Sequence, residues 1–421
     1  MKRKRNSAHG RGSKSKSSRE IRGVFSLTAE GYGFVKNSAG RSGDVFIPPG
    51  KTHGAFTGDI VTAAINPGVK KGKGPSGRII KIEEKSTLEF TATLRKDRGG
   101  LVAALDSKDI GSVVVLRNPG SNVADHRVLV EVDRDTIFSE VIYGRVVEDF
   151  GHENDPAVDI PCVIRSNGYI TEFTPEVRAE AQAAADRDIE IGDRTDCRDP
   201  KTAKDFDDAI SMRKMRSGWE IWVHIADVAF YVPGADAVDQ EALKRSNSVY
   251  LLTAVIPMLP EVLSNGACSL NPDVDRAAKT VRIKIDKFGE IKEYEILRTV
   301  IRSDRRFDYE EVQAIIEGKK DPDSEFVMMA HKAACCLRKN RYKKGTIVLD
   351  LPEIVPVCDA NGAVEKLKTE IDNDSHQLVE DLMLLANRCV ADFMINKKLP
   401  GPFRTHQEPM FDKKKELSRY L

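Results

Sequence analysis

The chain has 421 residues, 40% of them hydrophobic, with 66 Lys and Arg against 65 Asp and Glu for a formal net charge of +1. That length allows two or three domains with a full-sized core, and so even a charge balance points to no particular partner. No apolar run can span a membrane or act as a secretory signal, and seven cysteines without a CxxC pair exclude a zinc site or a disulfide frame, so a cytoplasmic protein with reduced thiols is expected.

Residues 1–20 hold eight Lys or Arg and one Glu among Ser and Gly, a disordered tail whose charge either solubilises or reaches for phosphate. From Ile21 the texture changes to short apolar runs punctuated by Gly, Asn, Asp and Pro, which predicts a small all-β module over 21–68. Within it GYGFV (31–35) and DVFIPP (44–49) put Tyr32, Phe34 and Phe46 on strands, with Tyr32 and Phe34 on one face. Rings in strands are commonly core, yet exposed rings on a sheet stack unpaired bases, at roughly 1–3 kcal/mol per base. The two motifs resemble the nucleic-acid-binding strands of cold-shock domains, which implies RNA binding there, with Lys36 as a phosphate contact.

The stretch NPGVKKGKGPSGR (66–78) carries Lys70, Lys71, Lys73 and Arg78 without an acid, either a backbone-tracking loop or a merely exposed one. A second β-rich module is expected over 69–137. FTATLRKDRGGLVAAL resembles the start of a second cold-shock-like domain in which GGLVA replaces the aromatic motif, so base stacking is not expected of it. Residues 138–190 form a connector read as strand and loop until Thr174 and Pro175 start a helix, Thr as cap and Pro at the first helical position.

The last domain is expected over 191–421. It opens with DCRDPKTAKDFDDAISM (196–212), which gathers Asp199, Asp205, Asp207 and Asp208. Carboxylates repel by roughly 4 kcal/mol per pair at about 4 Å in an effective dielectric of about 20, and a bound dication reverses that sign. Pro200 keeps Asp199 extended, adjacent Asp207 and Asp208 cannot share one face of a strand, and Ala209, Ile210 and Met212 predict that the run feeds a core strand. Alternate positions from Asp199 fall on Lys201 and Ala203, which excludes an EF-hand loop. Oxygen donors alone suit magnesium or manganese and phosphodiester chemistry, while a solvated acidic turn remains the plain alternative.

A hairpin turning at Ser217 and Gly218 follows, with Trp219, Ile221, Val223 and Ile225 on one face and Trp222 and His224 on the other; His224 reads equally as a structural hydrogen bonder or a substrate contact. Pro257, Pro260, Gly266 and Pro272 make 256–276 an ordered path around a site, where Asn271 and Arg276 either brace the acidic loop or meet phosphate. Strands are expected over 280–286 and 291–301, helix over 308–341 with a break at GKKDPD, a solvated basic face at RKNRYKK (338–344), and helix again where Leu378, Leu382, Leu385 and Val390 recur at near-helical spacing.

DPKTAKDFDDA, WVHIADV (222–228), SVYLLTAVIPMLPEVLSNGACSLNP (248–272) and HQLVEDLMLLAN (376–387) together resemble the catalytic domain of the ribonuclease II and ribonuclease R family. The resemblance implies a multidomain protein: all-β OB-fold, cold-shock-like modules followed by a mixed α+β RNB catalytic domain, incomplete at its C-terminus. It also implies magnesium, or manganese, held by Asp199, Asp205, Asp207 and Asp208. Loss of Asp207 should damage cleavage most, Tyr250 should stack on the 3′ end, and Glu380 and Asn387 should support the channel. The implied reaction is processive 3′-to-5′ hydrolysis of single-stranded or 3′-tailed RNA to 5′-mononucleotides by a monomer. Relatives carry an active-site arginine, a further acid and an RNA-binding OB domain beyond the position of Leu421, so weak activity of this chain alone is expected. A nonenzymatic RNA-binding fragment and a DNA-directed nuclease are the competing readings.

Overall fold

The computed structural model describes residues 20–28, 30–36, 44–66, 74–107, 113–118, 120–137, 139–197, 202–203, 207–347, 352–359, 361–370, 373–403, 408–409 and 411–420. Two compact units emerge, residues 1–169 with 359–363, and 170–358 with 364–421. No helix among the described residues is long and apolar enough to cross a membrane.

In the first unit β1 (Glu20–Leu27), β2 (Gly33–Val35), β3 (Val45–Ile47), β4 (Ile60–Ile65) and β5 (Gly77–Glu84) form an antiparallel sheet in the order β3-β2-β1-β4-β5. Alternation along the strands turns Phe25, Val35, Val45, Ile47 and Val61 into a closed core. The fifth strand lies beyond the boundary at residue 68 expected from the sequence. The basic stretch made the module look finished there, whereas β4 still had a free edge for β5 to pair.

β6 (Glu89–Asp97), β7 (Gly100–Leu105), β8 (Val113–Leu116), β9 (His126–Val132) and β10 (Tyr143–His152) close a barrel around Ala92, Leu94, Val114, Val128 and Val130. β10 pairs parallel with β8 and antiparallel with β9, so it is the strand that removes both edges. This module therefore runs past the expected limit at residue 137 and takes in most of the stretch read as connector. It also takes in a helix absent from the sequence reading, α1 (Asp159–Ser166), whose eight residues are too few to show a period.

The two β modules share a buried ion pair. The fully buried Asp59 carboxylate accepts the N–H groups of Phe56 (2.9 Å) and Ser86 (2.8 Å) and the guanidinium of Arg134, which also lies over the Phe56 ring. Burial pushes this carboxyl upward, and those donors together outweigh it and hold it below its ordinary value.

In the second unit α2 (Pro175–Ala185) starts where the sequence places it, with Thr174 accepting the N–H of Val177. β11 (Thr195–Asp196), β12 (Thr202–Ala203), β13 (Asp208–Met215) and β14 (Gly218–Ala226) precede α3 (Val228–Tyr231), α4 (Ala237–Arg245) and the small hairpin of β15 (Val249–Tyr250) and β16 (Val255–Ile256). A π-helical turn at Val262–Ala267 leads to β17 (Asp275–Asp286) and β18 (Ile291–Arg302), then α5 (Tyr309–Ile316) and α6 (Ser324–Lys343), separated by the predicted break. The hairpin β19 (Glu353–Cys358) and β20 (Val364–Glu370), then α7 (Asp374–Asn396) and α8 (Phe411–Tyr420), complete the unit.

The main sheet has the order β11-β18-β17-β14-β13-β12. One face packs Ile210, Val223, Ile221, Val281 and Ile283 against Ala330, Ala333 and Leu337 of α6 and Leu378, Leu382 and Leu385 of α7. Truncating a fully buried residue such as Leu382 to Ala should cost about 2–5 kcal/mol. Gly289 has φ +80°, and a Cβ there would lie 2.8 Å from the Cys336 carbonyl oxygen, so glycine lets the β17–β18 turn tuck under α6.

Of the basic string 338–344, Arg338 and Arg341 turn inward to the buried Asp381 (3.0 and 2.7 Å), while Lys339, Tyr342 and Lys343 stay exposed. The solvated-face reading therefore holds for part of it. α6 is amphipathic, and Arg338 and Arg341 lie toward α7.

β11 and β12 occupy opposite edges of this sheet although only residues 197–201 separate them. Five inter-strand steps of about 4.8 Å would place flat edges about 24 Å apart. Six residue steps reach roughly 20–22 Å, so the sheet is curled and its ends approach each other where the acidic run joins them.

Candidate active site and nucleic-acid interface

Asp207 and Asp208 stand at the start of β13. The backbone carbonyl of Asp207 accepts the N–H of Ala226 (3.1 Å), and Asp208 pairs in register with Ile225. Asp207 is exposed and Asp208 half-buried. They diverge, as neighbours on extended chain must: Asp208 joins the cross-strand row of Ile225 and Lys279, while Asp207 lies close enough to Cys268 for its charge to act on that thiol. Burial first, and then Asp207, push the Cys268 thiol up to about 11 against the pull of Arg276. Asp199 and Asp205 lie outside the described residues, as do the tail 1–19 and Lys70, Lys71 and Lys73. Among the described residues no group of three or more His, Cys, Asp and Glu forms a metal cluster.

Behind Asp207 the chain is fixed by a buried ion pair absent from the sequence reading. Arg194 donates to Asp227 Oδ2 at 2.8 Å, both side chains being about 5% exposed or less, and also donates to the Thr299 carbonyl and covers the Phe230 ring. The N–H of Asp227 donates to the Ala277 carbonyl (3.0 Å), so the residue after the end of β14 is pinned beside Ala226, whose N–H grips Asp207. Asp227 sits inside the WVHIADV motif. Its charge amid apolar neighbours was the available signal, and its partner 33 residues away was not readable.

His224 is fully buried and contacts no open surface. Its ring lies in a chain across four strands: Ser211 Oγ to Nε2 (2.9 Å), Nδ1 to Thr280 Oγ1 (2.7 Å), and Thr280 Oγ1 to Thr299 Oγ1 (2.6 Å). Thr299 donates to the Ala278 carbonyl, which can only accept, so the chain of donors assigns the hydrogen to Nδ1 and leaves Nε2 to accept from Ser211. Burial lowers the ring's pKa to about 3. Of the two sequence readings, this is the structural one. This face of the sheet is closed as well, with Cys197, Ala209, Leu270, Ala278 and Ile301 packed at its end.

Arg276 and Asn271 brace the backbone of the 261–271 path. The guanidinium donates to the carbonyls of Ser269 (2.8 Å) and Gly266 (3.3 Å), and the Asn271 N–H donates to Ser269 (2.8 Å). Tyr250 stands out on the β15–β16 hairpin at 78% exposure, with Leu252 and Val255 exposed beside it. Glu380 and Asn387 are exposed on α7.

In the first unit Phe34 pairs in register with Phe46, and Tyr32 completes a triangle with centroid separations of 5.6–5.9 Å. The rings project from the outer face while Val35, Val45 and Ile47 fill the core. A Cβ at Gly33 would lie 2.4 Å from the Phe25 ring, so the second glycine of GYGFV is what lets β2 lie close on the core beneath that face. Lys36 is exposed just past β2, and Arg78 is exposed on β5.

The RNB domain pattern matches residues 194–421, and the ribonuclease B OB domain pattern matches residues 23–82. The chain is 30% identical over 411 residues to ribonuclease R of Vibrio parahaemolyticus, covering 92% of this chain and 49% of that one. It is 31% identical to ribonuclease R 2 of Lactococcus lactis, covering 93% and 63%. It thus spans about half to two-thirds of the length of these relatives. Its fold matches that of Mycoplasma genitalium RNase R, solved in complex with ribose-methylated single-stranded RNA, with TM-score 0.73 and 24% identity over 94% of this chain and 65% of that one. An OB-type β module leads into a mixed α and β domain whose pattern covers more than half of the 421 residues, and on that ground the chain belongs to the RNB family.

Proposed function

We propose that the chain carries the acidic centre and the RNA-gathering face of a 3′-to-5′ exoribonuclease that works as a cytoplasmic monomer and releases 5′-mononucleotides. The observation that carries this reading is the pair of adjacent carboxylates, Asp207 and Asp208, fixed at a strand end by Ala226 and the buried Arg194–Asp227 pair. His224 is fully buried within its hydrogen-bonded chain, so the donors offered at this strand end are carboxylate oxygens. Such a donor set fits a hard dication.

Asp199, Asp205, Asp207 and Asp208 would hold magnesium, or manganese in its place, which supplies Lewis-acid activation of the phosphodiester and of water. In the hydrolysis one P–O3′ bond breaks as water's hydroxyl joins phosphorus and its proton goes to the departing 3′ oxygen. Tyr250, exposed on its hairpin, would stack on the terminal nucleotides. Tyr32, Phe34 and Phe46 would stack unpaired bases in a sequence-tolerant manner, and Lys36 would meet phosphate.

Asp207→Asn tests the assignment. Mononucleotide release from a 3′-tailed RNA in magnesium should vanish while gel-shift affinity in chelator stays near that of the unsubstituted chain. Equal loss of binding would make Asp207 a scaffold residue. Cleavage of a deoxy substrate at a comparable rate would move the reading to a DNA-directed nuclease.

A further inference from the structure

The face of the main sheet that packs on α6 and α7 is covered as far as the cross-strand row Ile210, Val223 and Val281. Among the described residues the next row outward is half-buried at Asp208 and open from Ile225 onward. It reads Asp208 on β13, Ile225 on β14, Lys279 on β17 and Arg298 on β18, each in register with the next and so on one face. Ile225 is 38% exposed and the Lys279 side chain 46%, between buried Ala278 and Thr280 on the opposite face. The helical layer therefore stops short and leaves an open ledge beside Asp208.

The two cations on this ledge are differently engaged. Arg298 is bound to Asp193 at 2.6 Å. Among the described residues Lys279 keeps only a 3.7 Å contact with Asp227 Oδ2, the same oxygen that already takes Arg194 at 2.8 Å. A half-exposed ammonium contributes little to stability through so long a contact, and Asp227 is satisfied without it. Two inter-strand steps separate Lys279 from Asp208, about 10 Å.

From this placement we infer that Lys279 is a phosphate-contacting residue, which holds a backbone phosphate of the RNA other than the one presented to the acids, with Ile225 as the apolar floor between them. This rests on the ribonuclease reading above. Lysine meets phosphate as a point charge, without base selectivity, which suits a ledge that must accept every nucleotide in turn.

The test is the salt dependence of binding by the full chain to a short single-stranded RNA with a free 3′ end, in chelator so that nothing is cut. Lys279→Met keeps the aliphatic stem and should lower the slope of log K against log salt by about 0.7, the release of one counterion from a single strand. Affinity at low salt should fall several-fold, and Lys279→Arg should keep the unsubstituted slope. A Lys279→Met protein whose slope is unaltered, or falls only together with its urea unfolding midpoint, overturns the inference. Failure of the unsubstituted chain to bind RNA at all would instead refute the proposed function.

Discussion

Lowering the pH should weaken the main sheet through His224 alone by an amount that can be worked out. The unfolded chain takes a proton on this ring below about pH 6.5, whereas the folded ring, neutral within the Ser211–Thr280–Thr299 chain, takes one only near pH 3. Between those values the unfolded state binds more protons, so stability rises with pH. The contribution is complete above pH 6.5 and is lost progressively as pH falls toward 3. Going from pH 8 to pH 5 the loss is about 2 kcal/mol, since each unit below 6.5 costs about 1.4 kcal/mol while the folded ring remains neutral.

The readout is specific because the two tryptophans of the protein, Trp219 and Trp222, both lie on β14 with His224. Urea unfolding followed by tryptophan fluorescence at pH 8 and pH 5 should show that loss in the unsubstituted chain. His224→Gln, neutral at every pH, should be less stable at pH 8 and lack that part of the pH dependence. Equal losses in the two proteins, or a ring that titrates near 6.5 by NMR in the folded chain, would refute the argument.

On the outer face of the first sheet, Phe34→Ala should weaken single-stranded RNA binding by about 1–3 kcal/mol, measured by fluorescence anisotropy, and lower stability by less than that, since what it loses is cross-strand ring contact on the surface rather than core. Asp59→Ala should destabilise the paired β modules by about 3–5 kcal/mol, seen as faster hydrogen exchange in β4 and β5, because it leaves Arg134 and two N–H groups facing an emptied site. Asp59→Leu with Arg134→Met should recover much of that loss.

Several features were legible in the sequence because they depend on residues near each other in the chain. Thr174 and Pro175 start α2, the GKKDPD break separates α5 from α6, and alternation around Ser217 and Gly218 sets the β13–β14 hairpin. The spacing of Tyr32 and Phe34 likewise foretells their shared face, whereas the register that sets Phe46 opposite Phe34 is not readable from spacing. Module boundaries were not legible. β5 and β10 are defined by the edges they close rather than by their own composition.

At the acidic centre the sequence by itself determined a dense run of carboxylates entering a strand, because charge and period are local properties. Tertiary structure alone decided what surrounds Asp207 and Asp208: the Arg194–Asp227 pair, the Cys268 thiol, the ledge that carries Lys279 and the burial of His224. Those neighbours come from strands β14 and β17, from residues flanking β11 and β14, and from the end of a π-helical turn, brought together by one sheet. A sheet's curvature is a property of all its strands at once, and no window of sequence contains it.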